Sequence, residues 1–311
     1  MLGMTAVAAA VSASGAVFQA VATERERRKH LPPGRLVDIG GFRLHMNEQG
    51  NGSPTVILEA GLTSMSAQWA WIQPELAKLT RVVSYDRAGL GWSDPSPDPR
   101  DAHTAVRHLR RMLDAAKIPG PYVLVGHSMG GLFMRLFAHE HRADVRGLVL
   151  IDAAHPEQHL RFGKPVEELH TSFFRKLAIA AWLGPVGVLR FLNHRERIAK
   201  GLPEGVREVM NALGCWRSHL NSTAAEAQSW NLICEQVRGT GPFGDLPLAV
   251  ITAATRDEGF TGHWHSLQRE LAGLSTNSVW HIVPGSGHSS LITEREHAQT
   301  TLDAVRAILE A

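Results

Sequence analysis

Gly126-His127-Ser128-Met129-Gly130 sets one hydroxyl between two glycines, directly after the apolar run Tyr122-Val-Leu-Val125 and ahead of a helix-compatible segment, Met129–His141. A strand that turns so sharply into a helix strains the backbone at the bend, and side chains at the flanking positions would strike neighbouring segments, so glycine is required there. The bend pushes Ser128 Oγ into the open and aims the first amides of the helix at negative charge developing beside it. A hydroxyl becomes a nucleophile only when a base takes its proton. Of the 17 histidines, position selects His288, in Val283-Pro-Gly-Ser-Gly-His288, just after the last predicted strand. His127 adjoins Ser128, but neighbours on a tight turn point apart, and it is read as structural. His281 falls inside a strand, and His155, His263 and His265 are lesser candidates for lining a pocket.

The base in turn needs a carboxylate to hold its tautomer and stabilise the imidazolium. Asp257 is the expected one, a few residues beyond the buried run Leu248-Ala-Val-Ile251; Glu258 beside it and Asp152, directly after Leu148-Val-Leu-Ile151, are the alternatives. Two N–H donors complete an oxyanion site. One is the Met129 backbone amide. The other is that of Leu62, in Glu59-Ala-Gly-Leu-Thr63, where Gly61 lets the backbone approach closely.

The elements that must position these groups alternate along the chain. Leu36–Ile39 and Phe42–Met46, around Gly40-Gly41, predict an opening hairpin. Thr55–Leu58, Arg81–Tyr85, Tyr122–Val125, Val145–Ile151, Leu248–Ile251 and Ser278–Val283 are short β-rich apolar runs. Ser66–Leu79, Asp101–Lys117, Met129–His141 and Glu294–Leu309 are predicted helices. Such alternation implies a mostly parallel sheet covered on both faces, with sites at the carboxyl ends of its strands. Between His155 and Asp245 it breaks into helices alone. Phe173, Phe174, Leu177, Ala178, Ala181 and Trp182 make one broad apolar stripe, ended by Gly184-Pro185 and read first as core. The expected division is an N-terminal segment over 1–30, a core over 31–154 and 246–311, and a helical insertion over 155–245.

Composition removes other classes. The 311 residues are 44% hydrophobic and 20% charged, which excludes disorder and collagen-like repeats. Lys+Arg 32 against Asp+Glu 30 leaves a charge of +2, too balanced for a protein that lives on phosphate backbones, so no nucleic-acid partner is expected. Cys215 and Cys234 are too few for a disulfide framework and read as reduced thiols. Residues 1–23 carry no charged side chain and precede Glu24-Arg-Glu-Arg-Arg-Lys29. About 20 residues span a bilayer, but this run is rich in alanine and poor in large apolar side chains. Basic residues after it would hold the next domain on the cytoplasmic side were it to insert. The expected location is therefore cytoplasmic, or membrane-associated and facing the cytoplasm. A weak membrane association through residues 1–23, a helix docked on the protein, a frayed tail and a cleaved signal remain open readings.

With these motifs the chain resembles the α/β-hydrolase fold superfamily over Leu36–Leu309. Tyr85-Asp-Arg-Ala-Gly-Leu-Gly-Trp-Ser-Asp94 is similar to its Asp-x-x-Gly-x-Gly-x-Ser segment. The resemblance implies an eight-stranded, mostly parallel sheet with helices on both faces and a helical cap over 155–245. It gives structural roles to Asp86, Arg87, Gly89, Gly91 and Ser93. It also implies the chain order nucleophile, acid, base, which Ser128, Asp257 and His288 follow. One departure is Ala60-Gly61 where many relatives carry His-Gly, leaving the oxyanion loop without that support. Similar dehalogenases and epoxide hydrolases use an aspartate nucleophile where this chain has Ser128, which favours acyl transfer to water. The expected activity is a serine hydrolase cleaving small to medium, lipophilic carboxylic esters, with no metal or organic cofactor. Phe173, Phe174, Trp182, Phe191 and Trp216 would suit an apolar acyl or aryl group. An aminopeptidase or amidase using Glu167, Glu168, Glu226 or Glu235 to bind a free amine, a monoacylglycerol-lipase-like enzyme, a perhydrolase and a non-catalytic binding protein are the other readings.

Overall fold

The computed structural model describes residues 2–191, 199–256 and 260–311, apart from the side chains of 2–11, 162, 164–167 and 191. Among the described residues one sheet holds eight strands: β1 (Arg35–Asp38), β2 (Arg43–Gln49), β3 (Thr55–Glu59), β4 (Val82–Tyr85), β5 (Tyr122–His127), β6 (Val145–Ile151), β7 (Leu248–Ala253) and β8 (Ser278–Val283). Their order is β1-β2-β4-β3-β5-β6-β7-β8. β2 runs antiparallel to both neighbours, and every other pairing is parallel.

The apolar runs are continuous because both faces of the sheet are covered. On β5, Tyr122 and Leu124 join the cluster of Leu109 and Phe137, whereas Val123 and Val125 join that of Trp69 and Val305. β3, β4, β5 and β7 are buried along their whole length. β8 forms one edge of the sheet, opposite β1, and its Val279 and Ile282 are exposed.

The helices of eight or more residues are α1 (Leu2–Lys29), α2 (Ala102–Ala115), α3 (Met129–Glu140), α4 (Lys164–Leu183), α5 (Glu204–Leu213), α6 (Arg217–Gln228), α7 (Trp230–Arg238), α8 (Thr261–Ala272) and α9 (Arg295–Glu310). Asp101 caps α2, its carboxylate accepting the Thr104 N–H at 2.8 Å and satisfying one orphan donor of the first turn. The single helix expected over Ser66–Leu79 is instead a 3₁₀ turn, Ser66–Trp69, and one helical turn, Gln73–Leu76. Pro74 explains the break, since it has no N–H to donate to a preceding turn.

The helices α4 to α7 lie between β6 and β7 in the chain. The stripe on α4, expected as core, divides. Phe174 packs on the main core cluster, Phe173 is half-exposed, and Trp182 is 78% exposed. The C-terminal half of α1 docks on these inserted helices. Arg190 donates to Gln19 Oε1 at 2.7 Å and Thr23 Oγ1 at 3.1 Å and pairs with Glu26, while Gln19 Nε2 donates to Cys215 O at 2.8 Å. Among the described residues no helix is long and apolar enough to cross a membrane.

Candidate active site

Ser128 stands between β5 and α3 with φ +55° and ψ −125°. Its neighbours over-determine this strained conformation. The Ser128 N–H donates to Ile151 O at 3.0 Å, and Ser128 O accepts from Gly131 N at 3.0 Å and Ala154 N at 2.9 Å. A Cβ on Gly126 would lie 2.7 Å from Gly130 O, and one on Gly130 2.5 Å from Glu59 O, so neither glycine tolerates a side chain.

His288 reaches the serine from the loop after β8, its Nε2 3.1 Å from Ser128 Oγ. On its far side Nδ1 lies 2.6 Å from Asp152 Oδ2. Asp257, and Glu258 with it, lie outside the described residues; the carboxylate bonded to His288 is Asp152, at the end of β6. Its side chain is fully buried and well supplied with donors. Oδ1 accepts from Ala253 N at 3.1 Å and Trp264 Nε1 at 2.7 Å, and Arg256 Nη2 is 3.0 Å from Oδ2. Burial favours the neutral acid, but the Arg256 charge and the His288 and Trp264 hydrogen bonds outweigh it and hold Asp152 well below the usual carboxylate range. With Asp152 ionised, His288 carries its proton on Nδ1 and presents the Nε2 lone pair to Ser128.

His127 is buried beside this pair. Its ring centroid is 4.6 Å from that of His288, and its Nε2–H donates to His288 O at 3.1 Å. Burial, with His288 adding, pushes its pKa down to about 3, so it stays neutral and steadies the loop that carries His288.

The loop after β3 passes over Ser128: a Cβ on Gly61 would lie 3.1 Å from Ser128 Cβ. Met129 opens α3, and Leu62 lines the cavity above Ser128. The support absent at Ala60 comes from Arg87, whose Nη1 donates to Ala60 O at 2.7 Å and Nη2 to Gly61 O at 3.2 Å. Arg87 also donates to Glu226 of α6, which removes that carboxylate from the cavity wall.

The cavity has a volume of about 450 Å³ and is walled by Leu62, Phe173, Phe174, Trp230, Trp264 and Ile292 around Ser128 and His288. No carboxylate is among its described lining residues. Glu168 and Glu235 are exposed, and Glu167 falls outside the described side chains. Trp216 is buried against α1, donating to Glu26 at 3.1 Å, and Phe191 also falls outside the described side chains. His155, His263 and His265 are not among the described lining residues. Trp230 and Trp264 were missed in the sequence because each sits in a helix whose apolar positions fit core packing equally well.

Sheet order, sharp bend and inserted helices together define an α/β-hydrolase-fold protein. Residues 54–181 match the family described as the alpha/beta hydrolase fold. Curated relatives include an uncharacterized protein of Schizosaccharomyces pombe, 25% identical over 298 residues, 84% of this chain and 53% of that one. Another, from Bacillus subtilis and also uncharacterized, is 27% identical over 254 residues, 81% of this chain and 83% of its own length. A thermophilic esterase from Thermogutta terrifontis shares the fold at a TM-score of 0.65 and 20% identity, covering 86% of this chain and 93% of that structure. The chain spans about half the length of the longer curated relatives it matches.

Proposed function

We propose that the protein is a serine hydrolase that cleaves carboxylic esters through an acyl-serine intermediate, with Ser128 as nucleophile, His288 as base and Asp152 as the acid orienting it. The observation that carries this reading is the unbroken relay from Asp152 Oδ2 through His288 to Ser128 Oγ, with contacts of 2.6 and 3.1 Å, at the floor of an apolar cavity. His288 Nε2 takes the Ser128 proton as Oγ attacks the acyl carbon. The carbonyl oxygen gains the electron pair and faces the Leu62 and Met129 amides. On collapse, the leaving alcohol receives the proton from His288. Water, deprotonated by the same nitrogen, then attacks the acyl-serine and releases the acid.

A cavity of about 450 Å³ lies at the small end of ligand pockets, which run from roughly 300 to 1,000 Å³, and it favours small to medium esters. Residues 155–245 act in this reading as a cap, supplying Phe173, Phe174 and Trp230 to the acyl or aryl group. The amine-binding alternative loses support with Glu226 committed to Arg87.

The test is a series of p-nitrophenyl esters of rising chain length beside aminoacyl anilides, with a fluorophosphonate probe. Labelling at Ser128, its loss in Ser128→Ala, and faster turnover of the shorter esters are expected. Preferential cleavage of the anilides, or labelling that survives in Ser128→Ala, would refute the assignment.

A further inference from the structure

We infer that Arg87, gripped by Glu226 of the inserted helix α6, is a positioning residue that sets the aim of the Leu62 N–H. This rests on the acyl-transfer reading above, in which that N–H faces the developing oxyanion.

The Arg87 guanidinium is buried, and each of its N–H groups has an acceptor. Nε and Nη2 donate to Glu226 Oε1 and Oε2 at 2.7 and 2.8 Å, Nη1 to Glu59 Oε1 at 2.6 Å and Ala60 O at 2.7 Å, and Nη2 also to Gly61 O at 3.2 Å. A guanidinium has five such donors in a rigid plane, so the fork has no freedom left. Gly61 C=O and Leu62 N–H belong to one planar trans peptide unit and point in opposite directions. Fixing the carbonyl on Arg87 therefore turns the amide hydrogen away from Arg87, toward the cavity that Gly61, Leu62 and Ser128 line together.

The next residue carries the same grip. Thr63 is held at φ +68°, a left-handed conformation costly for a β-branched residue. His219 Nδ1 accepts the Gly91 N–H at 3.1 Å, so its Nε2–H donates to Thr63 O at 3.2 Å. His219, Ser222 and Glu226 sit at i, i+3 and i+7 on one face of α6. Ser222 packs where any Cβ on Gly89, at φ +73°, would overlap it. One helix face thus braces both the oxyanion loop and the loop after β4.

A buried ion pair kept for stability alone can be replaced by apolar side chains at little cost. A planar fork with two of its donors on the carbonyls of residues 60 and 61 does something an apolar residue or a lysine cannot.

The experiment compares Arg87→Lys and Glu226→Gln with the parent on p-nitrophenyl butyrate and on a trifluoromethyl ketone, which adds to the serine to give a tetrahedral anion. Losing an oxyanion donor outright costs roughly 10²–10³ in kcat. A misaimed one should cost about 10- to 100-fold in Arg87→Lys, with KM within about threefold of the parent. Ketone affinity should fall by the same factor as kcat/KM. Glu226→Gln, which keeps the guanidinium, should show the same pattern to a smaller degree, and it carries the test if Arg87→Lys does not fold. A folded variant with parental kcat, or one that raises KM alone, overturns the inference. Should the parent itself fail to label at Ser128, the underlying acyl-transfer reading fails instead, so the two failures are told apart.

Discussion

Asp152 draws its donors from separate parts of the chain: the Ala253 amide, Arg256, Trp264 and His288. Replacing it by asparagine keeps the shape but loses the charge and offers His288 Nδ1 an amide that need not accept. On the acyl-transfer reading, Asp152→Asn should lower kcat by about 10⁴-fold, the loss seen when a triad base is left in the wrong tautomer, with a small change in KM. Asp257→Asn should stay within about tenfold of the parent. Steady-state kinetics on one p-nitrophenyl ester decides this, and equal losses in the two variants would defeat it. Sequence position favoured Asp257 over Asp152, on a ground that fits both. Both follow buried strands, and those strands, β6 and β7, are parallel neighbours in the sheet. Either carboxylate satisfies the chain order, so only the fold decides which one meets the imidazole. The meeting of Ser128 and His288 was foreseeable, because glycine spacing and loop position mark both residues directly.

At the scale of elements, strands were read most readily. A run buried on both faces leaves continuous apolar sequence, and β3, β5 and β6 begin where their runs begin. Helices were less legible where proline interrupts, as at Pro74, or where an apolar stripe is split between cavity and solvent, as at Phe173 and Trp182. α1 offered a signal that the charge count passed over. Gln19, Thr23 and Glu26, spaced by four and three residues, fall on one helix face, and that stripe holds Arg190. Glu26→Ala would leave Arg190, 11% exposed, without its carboxylate and Trp216 Nε1 without its acceptor. A cost of about 1–2 kcal/mol is expected for these partly screened bonds, lowering Tm by a few degrees in detergent-free buffer. An unchanged Tm would mean that α1 is not fastened there.

For the molecule as a whole, the buried histidines set how stability depends on pH. Burial is the leading cause in four cases, pushing His108 down, His127 down to about 3 and His155 and His170 to about 4. In the unfolded chain these rings titrate near 6.5. Below that value the unfolded state binds protons that the folded state refuses, so stability falls progressively between about pH 6.5 and pH 3–4. His45, beside the Asp86 carboxylate, is shifted up despite its burial and works in the opposite sense. Four against one, Tm should decline as pH falls from 7.5 to 5, before the carboxylates titrate, and His155→Gln should flatten the slope. A level or rising Tm over that range would contradict these shifts. The crossing of Arg87 from the core to Glu226 in the insertion also bears on engineering. Inserted helices of this kind invite exchange between homologues as a way to alter substrate scope. On the acyl-transfer reading, such a graft would strip the guanidinium of its partner and loosen the Leu62 amide above Ser128. A working chimera would have to import positions 219, 222 and 226 along with whatever new walls it brings.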